Sequence, residues 1–422
     1  MSPFPRFSSH LLPRAFQPSQ TSQAFSTQWR NPSDVFSVLL ILGGNIIQQA
    51  LAQLSGSRIT PIAFSFGWVA YGVSAVSSAV GENRLMPSAD CSCLVINGKS
   101  GYVRENVSWV IGRIVRDYES WMDGGKADGP IHRAVQGMLN ERWEMDRKKW
   151  LERRAEGKDV SATEPMRPVM AGLCVSVFKA REAQPGTPGY DFLYYLGFVT
   201  MVVQLGIAAI PLGLHGDYGQ ILVTAVGIIL ALANGSLTQW RCEKWTSRKN
   251  TNKNVVLTRG NGSQHAIAIL GDGQGLDLED LAAVPNNVDV WTGKWTKLFT
   301  LSLGFLWICL LISASGLGDH SWFLLAIGGI GIVENIYVAG HWRTPEAYGI
   351  PLEFVGVICK PKVMHTLYEV EEQCPHMGRA MLETFFPGEL NDEEEAKWKA
   401  YKETSNTREE SWKEQRKIVR QG

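Results

Sequence analysis

Six long stretches of this 422-residue sequence contain no lysine or arginine. A helix rises about 1.5 Å per residue, so each stretch is long enough to cross the roughly 30 Å hydrocarbon core of a bilayer. Because the charged residues, 19% of the chain, crowd into the remaining segments, a uniform soluble domain is excluded. The six stretches are 35–54, 60–80, 191–213, 219–237, 298–317 and 322–341.

The chain also lacks an excess of charge of either sign, since 41 Lys and Arg balance 41 Asp and Glu. This balance excludes a strongly basic nucleic-acid binder and an acidic disordered protein. A nucleotide-binding P-loop is missing as well, because the glycine-rich Gly271-Asp-Gly-Gln-Gly275 lacks the Gly-Lys-Ser/Thr that cradles phosphates. We therefore expect a turn at 271–275, no cofactor and no ATP-driven pump.

The six stretches form three pairs with very short connections, near 55–59, 214–218 and 318–321. All longer segments follow the second member of a pair or lie at a terminus, so they share one side of the membrane with both termini. On this threading Arg58 is the only basic residue on the opposite side. The positive-inside rule then places both termini in the cytosol. We predict an integral, multi-pass membrane protein of either the plasma membrane or the endoplasmic reticulum.

The predicted fold class is a membrane α-helical bundle with six transmembrane helices in three hairpins, and a small cytosolic α+β portion assembled from the loops. A buried helix of a soluble domain is the alternative for 35–54, since four polar residues interrupt it. The predicted organisation is a disordered N-terminal tail (1–34), a first transmembrane hairpin (35–80), cytosolic helices and strands (81–190), a second hairpin (191–237), a cytosolic loop with a β-hairpin (238–297), a third hairpin (298–341) and a cytosolic C-terminal tail (342–422).

Five short β-rich runs in the cytosolic segments predict the strands of one small sheet. Arg259-Gly-Asn-Gly-Ser263 is a turn signal between two of these runs, so residues 255–270 are predicted to form a hairpin. The runs are 93–97, 173–178, 255–258, 266–270 and 354–358.

Helical spacing of apolar residues predicts an amphipathic helix over 105–122. It lies either on the inner membrane surface or against other cytosolic elements. A basic helix is expected near 131–155, and two further helices near 362–384 and 392–402, the second with Asn391 as its N-cap.

Of the seven cysteines, Cys309 falls in the fifth stretch and the others fall on the predicted cytosolic side. We expect no structural disulfide, because the cytosol is reducing. Neither Cys91-Ser-Cys93 nor Cys374-Pro-His376 has the paired CxxC spacing of a zinc site. The glycosylation sequons Asn106-Val-Ser108 and Asn261-Gly-Ser263 are expected to stay unmodified in the cytosol.

Glu334 is the ionisable residue that lies well inside a predicted span. A carboxylate at membrane depth is costly unless it is paired or neutralised, which makes it a candidate functional residue. Asn335 beside it, and Asn45, Gln48 and Gln49 in the first stretch, are the other members of a predicted substrate or ion path in a cavity between the first and sixth helices. The alternative is that Glu334 is a hydrogen-bonded packing residue.

A second candidate cluster lies at two of the short connections. His215 and Asp217 follow the third stretch, and Asp319 and His320 follow the fifth. Two imidazoles and two carboxylates would bind a metal ion or relay protons if the connections touch. The alternative is that they are ordinary turn residues, and we predict no metal elsewhere.

Five motifs spread over 31–398 carry a resemblance to a known family. They are Phe64-Ser-Phe-Gly-Trp-Val-Ala-Tyr71, Asn106-Val-Ser-Trp-Val110, Gln239-Trp-Arg-Cys-Glu-Lys-Trp245, Leu257-Thr-Arg-Gly-Asn-Gly262 and Phe385-Phe-Pro-Gly388. In these motifs the chain resembles uncharacterised multi-pass membrane proteins of filamentous fungi, some encoded near secondary-metabolite genes. The resemblance implies a fungal source and a role beside a biosynthetic pathway, and it supplies no catalytic residues.

The predicted function is a non-catalytic accessory role, as a scaffold or sensor, because the cytosolic segments carry no catalytic motif. One alternative is a transporter of a small lipophilic metabolite whose path includes Glu334 and Asn45. The other is a membrane-embedded cyclase or isomerase with Glu334 as general acid. The expected partners are the lipid bilayer, a cytosolic protein and a lipophilic small molecule, and no nucleic acid.

Overall fold

The structure is a computed structural model that describes residues 43–421, apart from 82–83, 127, 158–162, 187–188, 284–289 and 318–320. The predicted N-terminal tail, 1–34, lies outside these residues. The helices are α1 (Gly44–Leu54), α2 (Gly67–Gly81), α3 (Trp109–Arg116), α4 (Tyr118–Asp123), α5 (Pro130–Ala155), α6 (Phe192–His215), α7 (Gly219–Gly235), α8 (Thr238–Lys244), α9 (Leu278–Ala283), α10 (Val290–Ser315), α11 (Ser321–Gly340), α12 (Val363–Gln373), α13 (Met377–Phe385) and α14 (Asp392–Gln421). The strands are β1 (Leu94–Asn97), β2 (Val103–Glu105), β3 (Leu173–Ala180), β4 (Lys249–Thr251), β5 (Val255–Thr258), β6 (His265–Leu270), β7 (Gly275–Leu276) and β8 (Leu352–Lys360).

Within the described part of the chain, four helices are long and apolar enough to cross a membrane. Large apolar side chains on their outward faces are exposed, among them Val202, Ile229, Phe305 and Val333. Such faces suit a hydrocarbon solvent, so the helices are compatible with a membrane protein. The four helices are Phe192–His215, Gly219–Lys244, Trp295–Ser315 and Ser321–Gly340.

The four long helices share one end that lies against the β-sheet. At this sheet end, Asp191 before α6 accepts a 2.7 Å ion-paired hydrogen bond from Arg343, which follows α11. At the far end, Gly219, the first residue of α7, packs against Leu317 beyond α10. The helices therefore run as two antiparallel pairs between the same two ends.

The main sheet has six strands in the order β2-β1-β5-β6-β3-β8. All neighbours are antiparallel except β3 and β6, which are parallel with Val175 opposite Ala266. The five predicted runs all become strands of this one sheet, and β5 and β6 form the predicted hairpin, with Val255 opposite Ile269. The prediction of one sheet assembled from distant loops is confirmed. The sequence did not predict β2, nor β4 and β7, which pair in a separate two-stranded sheet.

Both faces of the sheet are covered, because alternate side chains of a strand point to opposite faces. Val95 and Phe178 belong to a core that continues through α3 and α4 into the helical bundle. Ile96 and Val177 belong to a second core, which α12, α13 and α14 cover. The sheet thus joins the bundle on one face and a helical C-terminal layer on the other.

The predicted first hairpin differs most from the structure. Of the span 35–54, residues 43–54 are described, and α1 has 11 residues, about 16 Å of helix. Of the span 60–80, the helical part begins only at Gly67, and α2 has 15 residues, about 22 Å. Residues 59–66 are neither helix nor strand. Six membrane-spanning helices in three hairpins are therefore not confirmed.

The connection 55–59 also lies at an unexpected end of the bundle. Lys244 at the end of α8 donates a 2.7 Å hydrogen bond to the Ser55 carbonyl. The Tyr194 hydroxyl, near the start of α6, donates a 3.3 Å bond to the Ile59 carbonyl. Both partners belong to the sheet end, so the placement of 55–59 and Arg58 opposite the sheet is wrong.

Two further expectations have definite outcomes. Cys174 of β3 and Cys359 of β8 lie opposite each other and form a disulfide, so the expectation of no structural disulfide is wrong. The predicted amphipathic helix is two helices, α3 and α4, divided at Asp117. Its apolar residues, including Trp109 and Ile114, are buried in the core, so it packs on protein rather than lying on a membrane surface.

Candidate functional site

The candidate site is the non-helical segment 59–66, which enters the bundle between its helices. Ile62, Ala63, Phe64 and Ser65 are all buried. A buried backbone outside regular structure needs hydrogen-bond partners from elsewhere. At membrane depth such a backbone persists only where it is buried in protein or lines a polar cavity.

Three polar side chains of α6 and α11 supply those partners. Glu334 accepts a 3.3 Å hydrogen bond from the Ala63 backbone N–H. Asn335 donates to the Ala63 carbonyl at 3.5 Å and to the Ser65 hydroxyl at 2.9 Å. Gln204 donates to the Phe64 carbonyl at 2.6 Å and to the Ile327 carbonyl of α11 at 2.9 Å. The segment is therefore held by polar side chains in place of an intrahelical ladder.

Two glycines make room for the segment at close range. A Cβ atom at Gly331, in the middle of α11, would lie 1.8 Å from the Phe64 carbonyl oxygen. A Cβ at Gly197 of α6 would lie 1.8 Å from the Pro61 carbonyl oxygen. Only glycine fits at these distances, so the two helices are shaped to receive this backbone.

The site keeps three buried oxygen atoms without a hydrogen-bond partner among the described residues. They are Glu334 Oε1, Asn335 Oδ1 and Gln204 Oε1. Carboxylate and amide oxygens are acceptors only, and they suit a hydrogen-bond donor or a hard cation. An unsatisfied buried acceptor costs about 1–3 kcal/mol, so three such oxygens around one short segment favour a bound species that the chain alone does not supply.

Gln53, Arg343 and Lys244 hold the end of α1, which leads into the segment, at the sheet end. The Gln53 carbonyl, in the last turn of α1, accepts a 2.8 Å hydrogen bond from Arg343 and a 3.2 Å hydrogen bond from Lys244. The Gln53 side-chain oxygen accepts a 2.8 Å bond from the Tyr348 hydroxyl. Burial raises the pKa of Tyr348, so its hydroxyl keeps the proton that it donates. A cation is favourable at a helix C-terminus, and the Arg343 guanidinium anchors the point where α1 ends.

Of the predicted path residues, the structure brings Glu334 and Asn335 together at the non-helical segment. Gln48 instead donates a 2.8 Å hydrogen bond to the Leu85 carbonyl, and Gln49 accepts a 2.6 Å hydrogen bond from the Trp109 indole N–H. Asn45 is exposed. The polar stripe of α1 thus faces the sheet portion, and no hydrogen bond between the described residues joins it to Glu334.

Sequence reasoning missed Gln204 and the segment itself. The available signals were Thr60-Pro61, because proline disfavours a helical residue before it, and a lone amide in the third stretch. Hydropathy is averaged over a window of residues, so it does not distinguish an apolar helix from a buried apolar segment without regular structure.

The candidate metal cluster is not assembled in the described chain. Asp217 accepts a 2.9 Å bond from the Gly219 N–H, as a turn residue does. His215 ends α6. Asp319 and His320 lie outside the described residues. No group of three or more His, Cys, Asp or Glu in the described ranges has metal-binding geometry.

With this geometry established, comparison with known proteins adds no relative: no protein-family model, no curated protein and no solved structure matches the chain.

Proposed function

We propose that the protein is an integral membrane transport protein whose solute or ion path passes the non-helical segment beside Glu334. The observation that carries the proposal is a buried, non-helical backbone in the middle of a bundle of four span-length helices. Transporters use such interruptions because unwound backbone and polar side chains can bind a solute or a coupling ion at membrane depth.

The chemistry of the segment favours a proton or a monovalent cation as the species bound there. One carboxylate and two amides are hydrogen-bonded to three residues of the segment, and one oxygen of each is unpaired within the described structure. Moving a proton or cation onto Glu334 would remove the cost of a buried charge. We infer that this ion is coupled to movement of a small lipophilic solute, which enters through the apolar surroundings of the segment.

The proposed orientation places the sheet end in the cytosol. Among the described residues, the far-end connections 216–218 and 316–317 contain no Lys or Arg, whereas Lys244, Arg343 and Arg113 lie at the sheet end. The positive-inside rule favours this arrangement. The Cys174–Cys359 disulfide of the sheet favours the opposite, oxidising side, so the orientation rests on the basic residues alone. Asn261 is exposed and Asn106 is buried, so endoglycosidase sensitivity that Asn261→Gln abolishes would reverse the orientation.

Thiol labelling at Ser65 tests the path. In a background with Cys91, Cys242 and Cys309 replaced by serine, a Ser65→Cys variant in membrane vesicles is treated with a charged, membrane-impermeant thiol reagent. We expect modification well above the background, because a path must admit water to this segment. The matched control is Ser302→Cys, which lies on the exposed apolar face of α10 and should stay unmodified.

An Asn261→Cys variant on the sheet portion is the positive control for labelling. If Ser65→Cys is as unreactive as Ser302→Cys in vesicles of both orientations, the segment is sealed and the transport proposal fails. The accessory role as a scaffold or sensor then stands, with Glu334 as a packing residue. A deletion strain that accumulates a new intermediate, rather than a retained product, would favour the enzyme instead.

A further inference from the structure

A large cleft lies outside the bundle, between α3–α4 and the β5–β6 hairpin. Its volume is about 670 Å³, which is within the range of small-molecule sites. Arg116, Tyr118 and Glu119 line one wall. The other wall includes Arg259, residues 261–263 of the turn that follows it, and His265. The side chains that hydrogen-bond the non-helical segment, Gln204, Glu334 and Asn335, do not line the cleft, so the cleft is separate from the proposed transport path.

Arg259 gives the cleft a cation that the protein does not neutralise. Its guanidinium is exposed, and its hydrogen bond is a 3.4 Å contact to the Arg116 carbonyl. In the described chain no carboxylate lies within ion-pair distance of it. Arg116 on the opposite wall differs, because Asp117 at 2.7 Å and Asp90 at 2.8 Å pair with it. Arg259 is thus available to a ligand, whereas Arg116 is already paired.

The hairpin turn adds two backbone donors beside Arg259. The Gly260 N–H is bonded to Thr258 Oγ1 and the Ser263 N–H to the Gly260 carbonyl. The N–H groups of Asn261 and Gly262 have no partner among the described residues. Gly260 and Gly262 have φ of 94° and 85°, a conformation that glycine adopts without strain. Successive free amides in such a turn can form an anion-binding concavity.

His265 supplies a titratable donor at the back of the cleft. Its Nε2 lies 3.3 Å from Glu119, its Nδ1 is buried without a partner in the described chain, and its ring packs on Tyr118. Burial lowers the pKa of His265, and Arg259 lowers it further, while Glu119 and Asp123 oppose the shift. His265 is therefore neutral in the empty cleft near pH 7, and a bound anion would favour its protonated form.

We propose that this cleft binds a small organic anion, whose carboxylate or phosphate group lies between Arg259, the Asn261 and Gly262 amides and His265. The remaining volume accommodates the body of the ligand against Tyr118 and Val115. Glu119 repels the anion unless His265 is protonated, so it sets the pH range in which binding is strong. The inference does not rest on the transport function.

Calorimetric titration of the full-length protein in detergent, in 150 mM salt, tests the site. Citrate and inorganic phosphate are the probes, and they distinguish a carboxylate ligand from a phosphate ligand. We expect saturable binding of at least one, weakened about tenfold by Arg259→Gln because a charge-assisted hydrogen bond is lost. Glu119→Gln should strengthen binding several-fold, an effect of opposite sign that general damage to the cleft would not give.

The control is Arg181→Gln, since Arg181 is an exposed cation of the sheet portion that pairs with Glu353 away from the cleft. Sulfate, whose charge is constant between pH 6 and 7.5, reports the role of His265. Its affinity should rise as the pH falls, and His265→Gln should remove that dependence. Absence of saturable binding of all three anions, or equal binding by the wild type and Arg259→Gln, would overturn the proposal.

Discussion

The helical bundle and the sheet portion satisfy a buried, non-helical backbone in different ways. In the sheet, neighbouring strands bond to each other, as β3 does on both sides with β6 and β8. In the bundle, segment 59–66 has no strand beside it, and Gln204, Glu334 and Asn335 take that place. In a strand ladder the backbone groups of neighbouring strands satisfy each other. Each of these three side chains, by contrast, keeps one oxygen atom without a hydrogen-bond partner among the described residues. The bundle is therefore the region where a mobile ion or solute can compete for hydrogen bonds.

The largest effect is expected where the bundle tolerates no extra atom. Gly331→Ala places a Cβ 1.8 Å from the Phe64 carbonyl oxygen, so helix or segment must move. We expect a loss of about 3 kcal/mol or more, seen as a lower Tm in detergent. Gly329→Ala in the same helix has no atom within 4 Å and should leave Tm unchanged or slightly higher. Equal melting of both variants would show that the segment does not pack on α11.

The sheet portion has its own strong constraint in the Cys174–Cys359 disulfide, whose partners are separated by 185 residues. The Cys174→Ser, Cys359→Ser double variant should lose about 2–4 kcal/mol, because its unfolded chain is less constrained. Hydrogen exchange of the β8 amides measures this, with Cys91→Ser as the control. A reducing agent should reproduce the effect in the wild type and do nothing to the double variant. If hydrogen exchange in β8 were unchanged in the double variant, the disulfide would not contribute to the stability of the sheet.

A smaller loss is expected at Glu334, where charge and hydrogen bonding can be separated. Glu334→Leu removes the acceptor of the Ala63 N–H and should cost about 1–3 kcal/mol. Glu334→Gln keeps an acceptor oxygen, so its Tm should stay close to that of the wild type. If Glu334→Gln melts as low as Glu334→Leu, the carboxylate itself is structural, and its proposed role in the path is contradicted.

The smallest effect lies at the C-terminal layer, far from both sites. The Asn391 side-chain oxygen accepts a 2.9 Å hydrogen bond from the Glu394 backbone N–H, and the Asn391 backbone N–H donates a 3.1 Å hydrogen bond to the Glu394 carboxylate. This pair forms a reciprocal cap of α14. Asn391→Ala should cost about 1 kcal/mol and raise hydrogen exchange in the first turn of α14. Asn391→Asp retains the acceptor and should exchange as the wild type does. A similar rise in both variants would argue against the cap.

The sequence predicts the sheet better than the first hairpin, and the reason is physical. Strand runs such as 173–178 and 266–270 are recognisable because β-branched residues are bounded by Gly and Asn. Segment 59–66 is equally apolar, but its conformation depends on partners such as Gln204 that lie far away in sequence. The disulfide was unpredictable for a similar reason, because only the pairing of β3 with β8 brings Cys174 to Cys359.

The candidate site was half predictable. Glu334 stands out because a charge inside an apolar span is costly, and that argument needs no structure. Gln204 does not stand out, since single amides occur in many membrane helices. The cleft beside His265 was missed because its walls come from α3–α4 and the β5–β6 hairpin, which only the sheet order brings together. Spacing along the chain holds no sign of that arrangement.

Helix α3 contacts both the helical bundle and the cleft. Trp109 and Arg116 are bonded to Gln49 of α1 and to the Gly340 carbonyl at the end of α11, while Val115 and Arg116 line the cleft. A shift of this one short helix would therefore change contacts in both the cleft and the bundle. Thermodynamic linkage makes such an effect mutual: an anion that alters solute affinity in the bundle has its own affinity altered by the same factor when the solute binds.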